Sequence, residues 1–249
     1  MVESYKHIDS FKSTSLDEMN AIKLLNRQDT KYIFHERKLA GILKDLLPYY
    51  KVLEIDDKRL MRYANLYYDT ENCDFYSNHQ RGKLNRTKIR IRKYVESDLS
   101  FIEIKKKTNK SRTVKNRIPM ETGEHIHTPR IVDFVNTNSP VLVEDLVDEL
   151  QIDFNRITLA HKQLEDRCTL DLNLTTRWNN ESYTFEHLVI AELKQDRFKH
   201  ASNFNLVLKK HKVYAESFSK YCFCFISLNK NLKKNNFKPK LQRLDKILK

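Results

Sequence analysis

Several segments of the sequence place basic side chains at every second position. In residues 87–94, Arg90 and Arg92 alternate with Ile89 and Ile91. Residues i and i+2 point to the same face of a strand, whereas a helix would scatter them roughly 200° apart. The pattern therefore predicts a strand with one cationic and one aliphatic face. Arginine binds phosphate oxygens in a bidentate manner and lysine adds a compact charge, so this face could bind phosphate.

The same spacing recurs in other segments, and two of the rows include a glutamate. A single strand with a charged, solvated face would be ordinary, but several strands with the same alternation favour charged faces that converge. The further rows are Arg27, Asp29 and Lys31; Glu103, Lys105 and Lys107; Lys115 and Arg117; and Glu192 and Lys194.

The elements that would position these rows are antiparallel strands interrupted by helices. Three alternating segments joined by short polar turns predict a meander over 86–121. Alternation or strand composition predicts further strands at 27–34, 59–70, 151–162, 166–178 and 187–195. Apolar spacing and stop signals predict helices at 35–50, 71–82, 202–212 and 217–229, with two more within 128–150.

We therefore predict an α+β fold in which an antiparallel sheet closes into a barrel with helices packed outside. The helices need an apolar surface, so the aliphatic strand faces would point outward and the charged faces would line the interior. A barrel filled with arginine and lysine would be unstable when empty, because of desolvation and like-charge repulsion. Water and a dense polyanion would make such an interior reasonable.

The composition also favours a polyanionic ligand. Lys and Arg total 46 against 33 Asp and Glu, a formal net charge of +13. This charge is compatible with nucleic acid, an anionic membrane or a phosphate chain. Nucleic acid is disfavoured, because aliphatic residues rather than stacking aromatics separate the cations. With 3 glycines and no GxxxxGK[ST] loop, the known Gly-rich nucleotide loops are excluded as well.

The glutamates among the cations have two readings. Glu103 and Glu192 could form ion pairs within the sheet, or their carboxylates could hold Mg²⁺ or Mn²⁺ that bridges to phosphate oxygens. The cysteines form no CxxC pair and the histidines show no ligand spacing beside them, so zinc is not expected.

The domain organisation is predicted to be simple. We expect a lead-in at 1–22, one barrel domain at 23–228, and a basic tail at 229–249 that begins as a loop and becomes a helix. No apolar run approaches the roughly 20 residues of a membrane span, and the N-terminal residues lack the apolar centre of a signal peptide. The expected location is the cytoplasm.

A set of short segments, taken in order, resembles the VTC domain. This is the polyphosphate polymerase domain of the vacuolar transporter chaperone complex and its bacterial relatives, within the CYTH-like superfamily of triphosphate tunnel metalloenzymes. The resemblance runs from about Arg27 to about Tyr221 and is that of a bacterial, stand-alone member. The segments are RQDTKYIF, NLYYDTENCDFY, KIRIRKY, FIEIKKKT, VKNR, FNRITL, DRCTLDLNL, IAELKQ and FSKY.

The resemblance implies an eight-stranded antiparallel barrel that forms a tunnel for a nucleotide triphosphate and a growing polyphosphate chain. It implies a Mn²⁺ or Mg²⁺ ion bound to Glu192, with Glu103 a weaker second candidate. By motif, the residues at the reaction centre would be Lys31, Arg90, Arg92, Lys105, Arg156 and Glu192. Further phosphate-binding residues would be Lys115, Arg167, Lys194 and Lys220.

The implied activity is transfer of the terminal phosphate of ATP to polyphosphate. The chain departs from the family pattern at Phe154, where a tyrosine is usual, and at Ser217, where a second lysine can occur. Its first strand also lacks the ExExK motif of the hydrolytic branch. Two alternatives stay open: a triphosphatase or polyphosphatase on the same tunnel, and a non-catalytic module that binds polyphosphate or inositol phosphates. Protein partners are not predicted.

Overall fold

The computed structural model describes residues 3–20, 27–109, 113–196 and 202–249. These ranges contain 11 strands, seven α-helices and four short 3-10 segments, at Glu3–Ser10, Glu36–Lys38, Val143–Asp145 and Asn235–Phe237. The strands are β1 Ser13–Thr14, β2 Arg27–His35, β3 Tyr50–Leu53, β4 Met61–Thr70, β5 Arg86–Tyr94, β6 Leu99–Lys107, β7 Thr113–Met120, β8 Leu146–His161, β9 Asp166–Trp178, β10 Glu181–Phe185 and β11 Leu188–Asp196. The helices are α1 Leu16–Asn20, α2 Leu39–Leu46, α3 Asp74–Gln80, α4 Pro129–Asn138, α5 Asn203–Lys210, α6 Lys220–Leu228 and α7 Lys238–Leu248.

The fold is α+β with one large, mainly antiparallel sheet, as predicted. Its main path runs β2-β11-β9-β8-β4-β5-β6-β7, and β1, β3 and β10 pair off this path. The predicted closed barrel of eight strands is wrong in two respects. The sheet has 11 strands, and no pairing within the described ranges joins β2 to β7.

The free edge of β2 is instead occupied by the segment that precedes α6. Tyr32 forms an antiparallel bridge with Ala215, and the amide of Glu216 donates to the carbonyl oxygen of Lys31 at 2.8 Å. Unpaired strand edges expose backbone donors and acceptors that must find partners. Because this segment supplies them, β2 needs no pairing with β7.

The outer face of the sheet is apolar and lies under helices. Alternate residues of β2, β8, β9 and β11 join one core with α2, α5 and the first 3-10 segment, in which Leu43 and Phe204 are fully buried. Alternate residues of β4, β5 and β6, such as Ile89 and Ile104, pack under α4 through Ile131. The predicted orientation holds for these strands and helices: the aliphatic faces point outward to the helices, and the charged residues alternate with them on the opposite, inner face. Helix α6 is an exception to the prediction of helices packed outside, because it packs on the inner face.

The last two helices belong to another core cluster. In α6, Phe225 contacts Trp178 of β9 with ring centroids 5.6 Å apart, and Tyr221 stacks on Tyr67 of β4 at 5.2 Å. Leu244 of α7 is buried in the same cluster. These contacts hold α6 against inner-face residues of β4 and β9, with its first turn beside the charged side chains. Within the basic tail, residues Lys238–Leu248 form α7.

Several sequence predictions of elements need correction. The apolar spacing of 128–150 was typical of helices, but only α4 and one 3-10 turn form there, and from Leu146 the chain is already in β8. Strands β3 and β10 were not predicted. No helix in the described ranges is both long and apolar enough to cross a bilayer. The proposed domain boundaries stay predictions.

Candidate functional site

The inner face brings together predicted site residues from β5, β6 and β7 around Glu103. Arg90 donates to one Glu103 oxygen through Nη2 at 2.6 Å and Nε at 2.9 Å, and Lys115 Nζ lies 2.5 Å from the other oxygen. Burial would raise the pKa of Glu103, which is only 2% exposed. The charges of Arg90 and Arg92 and the bond from Lys115 instead lower that pKa to about 2. Glu103 is therefore a fixed anion that two cations share.

A second carboxylate makes an equivalent arrangement between β8, β9 and α6. Arg156 contacts Asp171 through Nε at 2.6 Å and Nη2 at 2.9 Å, and Lys220 also binds Asp171. Burial opposes ionisation, but the charges of Arg156 and Lys220 lower the pKa of Asp171 to about 2. We call the two groups, Glu103 with Arg90 and Lys115 and Asp171 with Arg156 and Lys220, the paired clusters.

Arg92 lies between the paired clusters, and among the residues that the structure describes it donates to no carboxylate. Its Nε donates to the side-chain oxygen of Asn65 at 2.9 Å, and the Asn65 amide in turn donates to Ile152 O at 2.9 Å. The Arg92 guanidinium lies 5.4 Å from the ring centre of Tyr63. Burial and the neighbouring Arg90 lower the pKa of Arg92. A neutral amide and an aromatic ring thus orient this cation and leave its charge uncompensated by a direct ion pair.

Aromatic rings also position the second paired cluster. Phe154 stacks on Tyr63 with centroids 5.2 Å apart. The Arg156 guanidinium lies 4.8 Å from the Tyr63 ring and 5.2 Å from the Phe154 ring, and Lys220 Nζ lies 4.6 Å from Phe154. The residue that departs from the family pattern therefore offers a ring face to two cations.

Glu192 of β11 has a different surrounding. Lys194 Nζ lies 2.6 Å from its Oε2, and Lys31 faces it across the strand pairing. Burial opposes ionisation, but Lys194, Lys31 and Arg156 hold the pKa of Glu192 well below its ordinary value. The strand pairing places Arg167 of β9 directly opposite Lys194, so Arg167 lies on the same face of the sheet. Glu192 is therefore ionised within a group of cations.

Three further lysines form a group that we call the lysine cluster: Lys31, Lys88 and Lys105. Desolvation within the curved sheet lowers the pKa of Lys105, although the residue is open to solvent, and the charge of Lys31 lowers it further. Lys31 of β2 and Lys88 of β5 both donate to residues 218–219, so distant strands of the sheet face each other across the interior. None of the three lysines forms an ion pair with a carboxylate in the described ranges.

Sequence reasoning missed several members of this site. Lys88 shares the strand face of Arg90 and Arg92, so the same alternation could have identified it. Asp171 shares a face with Arg167, but nothing in the sequence reveals that Arg156 and Lys220 would meet there. Asn65 and Tyr67 lie on β4, where the pattern reads as an ordinary strand.

The carboxylates do not form a multi-ligand metal centre. No group of three or more His, Cys, Asp or Glu side chains suited to a metal occurs among the residues that the structure describes. Both oxygens of Glu103 already accept bonds from cations. Glu192 is ionised and has one close cation, so it is the better candidate ligand. Mg²⁺ is often held by one or two carboxylates together with substrate phosphates, and Glu192 fits that mode.

Comparison with known proteins identifies the family. The family model described as the VTC domain matches residues 26–229, most of the chain. This chain belongs to the VTC domain family. The match includes all the inner-face residues predicted to bind phosphate, from Lys31 to Lys220. A search of curated proteins found no match.

Solved structures with a related arrangement are distant in sequence. A candidate adenylate cyclase from Vibrio parahaemolyticus is 10% identical, with a TM-score of 0.46, covering 77% of this chain and 94% of that one. A candidate adenylyl cyclase from Hippeastrum, described as having a dominant triphosphatase activity, is 15% identical with a TM-score of 0.46, covering 80% and 94%. A Pyrococcus furiosus protein of no stated function is 10% identical with a TM-score of 0.42, covering 78% and 99%. Likenesses at this level carry no conclusion about the activity of this chain.

Proposed function

We propose that this VTC domain protein is a metal-dependent phosphotransferase that extends polyphosphate with the terminal phosphate of ATP. The observation that carries the proposal is the convergence of cations from β2, β5, β6, β7, β8, β9, β11 and α6 on one inner face. Among the described residues, these cations outnumber the carboxylates Asp29, Glu103, Asp171 and Glu192 that lie among them. A chain of phosphates supplies dense negative charge in the linear form that such a face would bind.

The paired clusters support the phosphate-binding part of the proposal. Arg90 and Arg156 are held by buried carboxylates, hydrogen bonds and aromatic rings before any ligand arrives. Phosphoryl transfer requires positioning and charge stabilisation more than covalent chemistry from the protein. Groups already fixed in place avoid reorganisation when charge develops on the transferred phosphoryl group.

Glu192 would hold the divalent cation, Mn²⁺ or Mg²⁺, together with phosphate oxygens of the substrate. Such a cation, when bound, neutralises charge on the phosphates and orients them. The role of this chain is to keep Glu192 ionised, which Lys194, Lys31 and Arg156 achieve, and to surround the phosphates with Arg90, Arg92, Lys105, Arg156 and Lys220.

Incubation of the purified protein with ATP and Mn²⁺ tests the function. We expect ADP and a polyphosphate ladder on a gel, and loss of both in Glu192→Gln. Glu181→Gln is the matched control, because Glu181 is exposed on β10 and should leave activity unchanged. Free orthophosphate without chain growth would identify a triphosphatase. Binding of polyphosphate with no turnover, unaffected by Glu192→Gln, would identify a binding module instead.

A further inference from the structure

Lys88 occupies a place at the first turn of α6 that the family comparison does not assign. Its Nζ donates to the hydroxyl oxygen of Ser219 at 2.8 Å, and that oxygen also accepts from the amide of Cys222. Lys31 Nζ donates to the neighbouring Phe218 O at 3.0 Å. Two ammonium groups from different strands therefore meet at residues 218–219, next to Lys220, whose own ammonium binds Asp171.

The neutral partners of Lys88 leave its charge uncompensated. Its hydrogen bond is to a hydroxyl, and its Nζ lies 6.0 Å from the ring centre of Tyr221. No ion pair joins it to a described carboxylate. On β5 it shares the inner face with Arg90, which is fixed by Glu103 in a paired cluster. Lys88 is thus a cation of the inner face that has no anionic partner of its own.

The charged and titratable groups around Lys88 come from several elements, and cations dominate them. The thiol of Cys222 adds little stabilisation to the charged amine, because burial raises the pKa of that thiol and keeps it neutral. The neighbours are Lys31 of β2, Arg86 and Arg90 of β5, Lys105 of β6, His79 of α3, and Tyr221 and Cys222 of α6.

The balance among these groups disfavours a charged amine in the empty protein. Burial lowers the pKa of Lys88 to about 7, with repulsion from Lys31, Lys105 and Arg90 contributing. His79 offers no negative charge to Lys88: burial and the charge of Lys88 lower the pKa of His79 to about 2, and its buried Nδ1 has no hydrogen-bond partner among the described residues. An anion placed among these lysines would reverse the repulsion and favour the ammonium form.

We propose that Lys88 is a phosphate-binding residue that takes up a proton from solvent as the phosphate chain binds. This proposal rests on the proposed polyphosphate site and adds a linkage to pH. Because an ammonium is stabilised by the bound polyanion and not by the empty site, the affinity for a phosphate chain should fall as the pH rises above 7. At most one proton, and hence about tenfold in affinity per pH unit, is expected from Lys88.

Calorimetric titration of the full chain with tripolyphosphate at pH 8 tests this linkage. Repeating the titration in buffers of different ionisation enthalpy gives the number of protons taken up. We expect Lys88→Met to take up about half to one proton fewer than the native protein and to bind more weakly. Lys88→Arg should keep the affinity but lose the same proton uptake, because arginine stays charged. Protonation of tripolyphosphate itself is common to all the proteins and drops out of the difference.

Lys93→Met is the matched control. Lys93 lies on the opposite face of β5 and pairs with Asp98 at 2.6 Å, so both affinity and proton uptake should stay native. Unchanged proton uptake in both Lys88→Met and Lys88→Arg would overturn the proposal, as would unchanged affinity in Lys88→Met or no binding by the native protein. Because no ATP turnover is measured, Lys88-dependent proton uptake would stand even if no polyphosphate were made.

Discussion

The paired clusters and the lysine cluster share one inner face but solve the problem of buried charge differently. In the paired clusters each carboxylate is flanked by two cations within hydrogen-bond distance, as at Asp171 with Arg156 and Lys220. In the lysine cluster, the hydrogen bonds of Lys31 and Lys88 within the described part of the chain go to neutral oxygens. Without a ligand, carboxylates balance the cations of the paired clusters, whereas the cations of the lysine cluster have no such direct partner among the described residues.

This difference separates two roles within the site. Arg90 and Arg156 gain stability from Glu103 and Asp171, so their positions are set by folding. Desolvation and the charge of Lys31 disfavour the charged forms of Lys88 and Lys105, so their contribution to folding is unfavourable until an anion arrives. We infer that the paired clusters fix the geometry of the site and that the lysine cluster supplies much of the driving force for binding.

Removing a carboxylate that two cations share should cause the largest change, a loss in the free energy of unfolding. Asp171→Ala leaves Arg156 and Lys220 buried without their anion, and breaking a buried pair costs about 3–5 kcal/mol. We expect a loss of that size in the free energy of unfolding, measured in urea, with partial recovery in tripolyphosphate.

The matched control is Asp153→Ala, which removes an exposed pair with Arg177 and should cost about 1 kcal/mol or less. Equal losses in the two variants would show that the Asp171 cluster contributes no more than a surface pair.

Acid should weaken the paired clusters in a defined pH range. The folded-state pKa values of Glu103 and Asp171 are about 2, below the ordinary values of 4.5 and 3.8. Their stabilisation is therefore complete above about pH 4.5 and is lost as the pH falls toward 2, by on the order of 2 kcal/mol for each group. Urea unfolding at several pH values should show this slope, and Asp171→Asn should make it shallower. An unchanged slope would assign the acid sensitivity to other groups.

Removing a lysine of the lysine cluster should affect binding more than folding. Lys105→Met relieves repulsion with Lys31, so we expect an unchanged or higher melting temperature and about tenfold weaker tripolyphosphate binding, equivalent to about 1.4 kcal/mol. Lys106→Met is the control, because its side chain alternates to the other face of β6. A melting temperature that drops well below that of the control would mean that Lys105 stabilises the empty fold.

The smallest effect is expected from adding a hydroxyl group to the ring of Phe154, which faces Arg156 and Lys220 in the second paired cluster. Phe154→Tyr would place a hydroxyl near Arg156 and Lys220, and one added hydrogen bond is worth roughly 0.5–1.5 kcal/mol. We expect about threefold tighter tripolyphosphate binding by calorimetry. Weaker binding would indicate that the hydroxyl competes with phosphate for these cations.

The sequence predicted the strand faces better than the way in which the sheet ends. Alternation at Arg90 and Arg92 is a local property, and it correctly placed both residues opposite the isoleucines. The open edge depends on Ala215 and Glu216 meeting β2 across a long stretch of chain, which no local pattern encodes. The helical spacing of residues 146–150 misled for a related reason, because pairing with β4 overrides the local preference.

For the candidate site, the sequence likewise predicted the cations but not the ion pairs that join them to carboxylates. Every predicted cation lies on the inner face, yet which carboxylate neutralises which cation depends on strand register. Asp171 was missed because its partners come from β8 and α6. The catalytic and metal-binding roles of the predicted residues stay proposals that the experiments above address.

The strict alternation of the strands has a consequence for how this protein could change over time. Ile89 and Ile104 stabilise the outer core, while their neighbours Lys88, Arg90, Glu103 and Lys105 face the ligand. Different residues therefore carry the fold and the selectivity, although they follow one another along the same strands. Substitutions on the inner face that keep the two shared carboxylates in place could redirect the site to other phosphorylated ligands, and the outer core would remain a stable scaffold for that divergence.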